Sequence, residues 1–113
     1  MKYLITLITL LSFSIATESQ NLEPREGFVN VKGGRIWYKI VGHGKGIPLL
    51  RIHGGPGSQS CGSIPGYSLL GDDRPVIFYD QLGSGFSDRP TDTTLWKVPR
   101  FVDEIDKLSN ALG

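Results

Sequence analysis

Apolar and polar residues alternate in two short runs near the start of the chain. Phe28, Val29 and Val31 form the first, and Ile36, Tyr38 and Ile40, interleaved with Arg35, Trp37 and Lys39, form the second. Gly33-Gly34 lies between them, and glycine accepts the positive φ that tight hairpin turns require, so the pattern predicts a β-hairpin. A second turn follows from Gly42 to Gly46. Pro48, Leu49, Leu50, Arg51 and Ile52 then make a short strand that stops at His53. Pro75-Val76-Ile77-Phe78-Tyr79 is more continuously apolar, as expected of a strand buried on both faces. A Gly/Ser/Pro-rich loop joins these two runs, with a helical turn predicted around Tyr67, Leu69 and Leu70.

The last element reads as a helix. Val98, Phe101, Val102, Ile105, Leu108 and Leu112 recur at steps of three and four, which places them on one stripe. Pro99 suits the first turn and Gly113 a C-cap. Asp103, Glu104 and Asp106, with Lys107 and Asn110, fall on the opposite face and read as solvated helix surface. Hairpin, strand, loop, strand, loop and helix form the opening of an α/β domain. The helix stripe has no later strand to cover it, so residues 28–113 are expected to be the N-terminal part of a larger domain.

The N-terminal segment has a different character. Lys2 gives a short positive start, and residues 3–16 are a run of Leu, Ile, Phe and Ala broken only by Tyr3, Thr6, Thr9, Ser12 and Ser14. This is a signal-peptide pattern, too short for a bilayer span, with small residues at Ser14 and Ala16 for cleavage after Ala16. A cut after Ser19 is a second option, and a buried N-terminal strand or helix is the structural alternative. Residues 17–27 are polar, carry Pro24 and Gly27, and read as a linker. Export to a periplasmic or extracellular space is therefore expected, with no stable membrane insertion after cleavage.

Composition narrows the function classes. The chain has 113 residues, with 12 Lys+Arg against 11 Asp+Glu. A formal charge of +1 lacks the basic footprint of a nucleic-acid binder. The single cysteine, Cys61, makes neither an internal disulfide nor a zinc site.

Candidate chemistry lies in two loops. His53-Gly54-Gly55-Pro56-Gly57 follows the 48–52 strand directly. A turn with so few side chains lets main-chain N–H groups approach a ligand, as in an oxyanion hole. Gly-Pro-Gly also serves as a plain strand-ending turn, and the residues alone leave both open. The second loop, Asp80-Gln81-Leu82-Gly83-Ser84-Gly85-Phe86-Ser87-Asp88-Arg89-Pro90, follows the 75–79 strand. Gly83 and Gly85 hint at a dinucleotide fingerprint, but Asp88 replaces the third glycine and no helix opens there. Its place is the C-terminal edge of a parallel strand, where α/β folds put their sites.

Together the two loops resemble the proline iminopeptidase family of α/β-hydrolases. His53-Gly54-Gly55-Pro56-Gly57 is similar to the family's oxyanion loop, and Tyr79-Asp80-Gln81-x-Gly83-x-Gly85-x-Ser87-x-Arg89-Pro90 to its next loop. Leu95-Trp96-x-Val98-x-Arg100-Phe101-Val102-Asp103-Glu104 looks like the start of the helix before the family's nucleophile strand. The resemblance implies an antiparallel hairpin leading into a mostly parallel sheet flanked by helices. It implies that Gly55, or else Gly54, supplies an oxyanion N–H. His53, Pro56 and Gly57 would support that turn, and Asp80, Gln81, Gly83, Gly85, Ser87 and Arg89 the loop beneath the site. The implied reaction is serine-dependent release of an N-terminal residue, typically proline, from a peptide, with no metal or organic cofactor.

The chain departs from the family at the nucleophile. No serine sits in Gly-x-Ser-x-Gly: Ser60 follows Ser58 at two residues, Ser68 is followed by Leu70, and Ser87 by Arg89. No triad member is therefore expected within the chain, and His53 is not a base but a support for the oxyanion turn. Two alternatives remain. One is a related hydrolase acting on a small-molecule ester, lactone or epoxide; the other is a non-catalytic degenerate fragment.

Overall fold

The structure, a computed structural model, describes residues 22–113 apart from Pro56. The signal peptide expected over 1–16, both cleavage points and residues 17–21 of the expected linker lie outside the described residues, as does Pro56. Four strands form one mixed sheet: β1 (Arg25–Val31), β2 (Gly34–Val41), β3 (Leu49–Arg51) and β4 (Val76–Tyr79). A short helix α1 (Ile64–Ser68) follows a 3₁₀ turn at Cys61–Ser63, and a long helix α2 (Val98–Leu112) follows one at Thr93–Leu95.

The strand order is β1-β2-β4-β3. β1 and β2 are the expected antiparallel hairpin, paired from Arg25↔Ile40 to Val31↔Gly34. Gly33 takes φ 100 at its turn, and a Cβ there would lie 2.5 Å from Leu95, so the position requires glycine on both counts. β4 pairs antiparallel with β2 and parallel with β3, in the register Leu50↔Ile77. All four β4 residues are buried, as the unbroken apolar run predicts.

The core lies between one face of the sheet and α2. Val29 and Val31, Ile36, Tyr38 and Ile40, Leu50, and Ile77 and Tyr79 come from alternate strand positions, and Leu108, Leu112 and Ile105 from the helix. β1 begins three residues before Phe28, inside the stretch that composition assigns to a linker. Leu22 is buried in the same core. Among the added residues, Arg25 and Glu26 are exposed and join the sheet through backbone pairing, with side-chain contacts to Tyr38 and Lys39 of β2, both at 3.4 Å.

Helix α2 corrects the sequence expectation on one point. Its covered face runs through Arg100, Glu104, Leu108 and Leu112, while Val98 and Val102 are exposed. Glu104, expected on a solvated face, is 0% exposed. Residues spaced by four share a helix face, and Arg100 and Glu104 tolerate burial because they pair with each other.

Candidate functional site

Both glycine-bearing loops leave the sheet at the C-terminal ends of its one parallel pair, β3 and β4. At the end of β3, His53 is buried whereas Gly54 and Gly55 are exposed. Gly55 has φ +52 and Gly57 φ +92, and no described atom lies within 4 Å of a Cβ built on Gly54, Gly55 or Gly57. The turn therefore needs glycine at 55 and 57 for backbone conformation, not because neighbours crowd it.

His53 ties the two loops together. Its Nε2 accepts the Gln81 N–H at 3.0 Å. That bond assigns the ring proton to Nδ1, which faces the Gly54 carbonyl at 3.2 Å. The imidazole is thus occupied at both nitrogens as a strut between the 53–57 turn and the 80–89 loop.

Asp80 organises the second loop from beneath. Its carboxylate is fully buried and accepts the Ser60 N–H at 2.7 Å and the Phe86 N–H at 2.9 Å. A Cβ on Gly85 would sit 2.0 Å from Asp80 Oδ2, so the loop closes over the carboxylate only with glycine there. On Gly83 a Cβ would come within 2.5 Å of the Trp96 ring. Ser87 Oγ donates to the Asp80 carbonyl at 2.5 Å and accepts the Trp37 N–H at 2.8 Å, which fastens the loop to β2. Arg89 Nη2 donates to the Gly85 carbonyl at 3.1 Å. The residues singled out in the sequence at 80, 81, 83, 85, 87 and 89 thus belong to one hydrogen-bonded loop packed against His53.

Four further residues hold this region and were not singled out for it. Asp88 accepts the Arg35 N–H at 2.9 Å and a forked pair of guanidinium bonds, both at 3.1 Å. Glu104 Oε1 accepts the Leu82 N–H at 2.9 Å and a bond from Arg100 Nη1. Burial pushes the Glu104 carboxyl above its ordinary value, against the lowering by Arg100 and by the Leu82 N–H. Burial, and then the Glu104 charge, push the Tyr79 phenol up to about 12. In the sequence, Arg100 and Glu104 stand out only as part of the family-like helix start and by their i,i+4 spacing, which reads equally as a surface pair.

The Arg35 hydrogen bonds hold Asp88 below the ordinary carboxylate range. A depressed folded-state value contributes stability above the unfolded value and loses it as pH falls through the folded one. Asp88→Asn should therefore lower the thermal midpoint at neutral pH. The gap from wild type should close as the pH drops below the ordinary Asp value. Thermal melts across pH check this, and a gap independent of pH would contradict it.

Above the loops lies an open cleft of about 410 Å³ lined by Gly55, Gln81, Trp96, Val98 and Phe101. Its neighbour, lined by Gly57, Leu82, Gly83, Trp96 and Phe101, has about 400 Å³. Exposed glycine backbone thus faces an aromatic wall across a space the size of a small ligand. Among the described residues, no group of three or more His, Cys, Asp or Glu side chains is arranged to hold a metal ion.

No family model matches the chain. Over 89 residues it is 54% identical to a proline iminopeptidase of Heyndrickxia coagulans, an alignment covering 78% of this chain and 31% of that protein. The chain belongs to the proline iminopeptidase family. The crystal structure of a proline iminopeptidase-related protein from Thermus thermophilus superposes with a TM-score of 0.73 at 30% identity, covering 80% of this chain and 33% of that one. The crystal structure of VinJ superposes at 0.71 with 38% identity, over 80% of this chain and 32% of that one. The chain therefore spans about a third of the length of the relatives it matches, and carries part of an α/β-hydrolase fold.

Proposed function

We propose that this chain is the N-terminal part of a serine aminopeptidase that releases an N-terminal residue, typically proline, from peptides. One observation carries this: the 53–57 turn presents exposed glycine backbone toward a ligand-sized cleft and is locked by His53 to a loop built around buried Asp80. In such an enzyme the Gly55 N–H, or that of Gly54, donates to the negative oxygen of the tetrahedral intermediate. Preorganised donors of this kind are worth about 2.7–4 kcal/mol each when removed. His53 positions the turn and takes no proton from a nucleophile, since both its nitrogens are engaged. The nucleophile, acid and base come from segments outside these 113 residues, which contain no Gly-x-Ser-x-Gly.

Two features support a larger domain. β3 is an edge strand among the described residues. Beside it runs an apolar groove of about 220 Å³ whose lining includes Leu50, Ile77, Leu108 and Leu112. A strand added on that edge would cover both. The 54% identity to a protein described as a proline iminopeptidase favours a peptide substrate over an ester, lactone or epoxide.

The coding sequence downstream of Gly113 and an assay of the chain itself test this together. A Gly-x-Ser-x-Gly within some tens of residues is expected, and the 113-residue chain alone should not hydrolyse proline p-nitroanilide or simple esters. Turnover by the isolated chain, blocked by a serine-reactive phosphonate, would contradict the assignment of the triad to other segments. Absence of the motif downstream would favour a non-catalytic fragment.

We also propose export through a signal peptide over residues 1–16, from the Lys2 start and the apolar run. Mass determination of the mature protein should show a new N-terminus after Ala16 or Ser19. An intact Met1 on exported protein would overturn it.

A further inference from the structure

We propose that Arg100 and Glu104 are positioning residues for this site. From the covered face of α2 they fix the aromatic wall of the cleft and the segment that faces Gly55 across it. The functional meaning rests on the hydrolase proposed above; the geometry stands on its own.

Glu104 Oε1 receives the Leu82 N–H at 2.9 Å and a bond from Arg100 Nη1. The adjoining Gln81 N–H goes to His53 Nε2 at 3.0 Å, and the same ring meets the Gly54 carbonyl at 3.2 Å. A hydrogen-bonded path thus runs from the helix to the oxyanion turn. Arg100 acts on the other wall. Its Nε donates to the Leu95 carbonyl, and its guanidinium lies 4.1 Å from the centroid of Phe101 and 5.4 Å from that of Trp96. Of the four residues that line the cleft with Gly55, Trp96 and Phe101 therefore lie against the Arg100 guanidinium, and Gln81 adjoins the Leu82 N–H that Glu104 holds.

Stability alone does not account for the pair. Replacing a buried ion pair with packed hydrophobic side chains is often neutral or stabilising. An apolar pair, however, supplies no acceptor for the Leu82 N–H and no cation over two rings. Glu104→Gln keeps the acceptor. Its amide nitrogen takes the place of Oε2, which has no hydrogen-bond partner among the described residues. Arg100→Lys keeps the charge and loses the planar fork.

Hydrogen exchange by mass spectrometry on the full-length protein, with 5-fluorotryptophan spectra of the same variants, tests the proposal. In Glu104→Ala, exchange across residues 81–84 should rise about tenfold relative to β4, the cost of about one buried hydrogen bond to a charged group. In Glu104→Gln, which keeps the acceptor but removes the charge opposite Arg100, exchange across 81–84 relative to β4 should stay close to wild type even where global stability falls. In Arg100→Lys the Trp96 resonance should move while that of Trp37, held in β2, stays in place. Equal rises in both segments of a folded Glu104→Ala protein, or a Glu104→Gln protein as open as Glu104→Ala, would overturn it. Should Glu104→Ala fail to fold, an unmoved Trp96 resonance in Arg100→Lys would overturn it instead. None of these readouts needs a substrate, so failure to cleave prolyl peptides would count against the proposed function and leave this result standing.

Discussion

Gly85→Ala should destabilise the protein by about 2–5 kcal/mol, combining overpacking against a fixed group with the cost of a left-handed backbone for a residue with a Cβ. The new methyl carbon would start 2.0 Å from Asp80 Oδ2, at φ +50. Relief requires the loop to lift, which breaks the bond from the Phe86 N–H to the carboxylate. Asp80 would then keep only the Ser60 N–H, and a buried carboxylate short of donors is expensive. Gly54→Ala is the control: nothing lies within 4 Å of its Cβ position, and its φ is not positive. Such a substitution should change stability by less than about 0.5 kcal/mol. Urea titrations of the two variants check the contrast. Equal, small losses would show that Asp80 does not organise the loop.

Gly55→Val should cut kcat of the full-length enzyme by about tenfold or more, toward the 10²–10³ expected for loss of one oxyanion donor, with the fold largely intact. No described atom crowds position 55, but φ +52 is a conformation that a β-branched residue avoids. The turn would relax toward negative φ and carry its N–H away from the cleft. Asparagine tolerates the left-handed region, so Gly55→Asn should retain more activity than Gly55→Val. Steady-state kinetics with a prolyl substrate separate these outcomes. Wild-type turnover by a folded Gly55→Val enzyme would remove Gly55 from the oxyanion hole.

Much of this arrangement was legible in the sequence, for identifiable reasons. The hairpin follows from alternation around Gly33-Gly34, and β4 from an apolar run with no polar interruption. The loops announce themselves because glycine at 83 and 85 answers steric demands that a Cβ would violate, and glycine at 55 takes a left-handed backbone that few other residues tolerate. What stayed hidden depends on partners distant in the chain. Arg25 and Glu26 look like linker because their place in β1 comes from pairing with β2, through backbone bonds and contacts to Tyr38 and Lys39, and composition does not encode that pairing. Glu104 looks solvated because a helix pattern shows which residues share a face, not which face the protein covers. Here Val98 and Val102 face outward, and the face of Arg100 and Glu104 turns inward because Leu82 offers an N–H and Leu95 a carbonyl. Trp96 belongs to the cleft only once α2 has been folded back beside the 80–89 loop.

The most direct test of the central claim is hydrolysis of proline p-nitroanilide by the purified full-length protein, before and after treatment with a serine-reactive phosphonate. Turnover that the phosphonate abolishes is the predicted result. A folded protein that leaves the prolyl substrate uncleaved, or cleaves it equally well after treatment, would contradict the assignment.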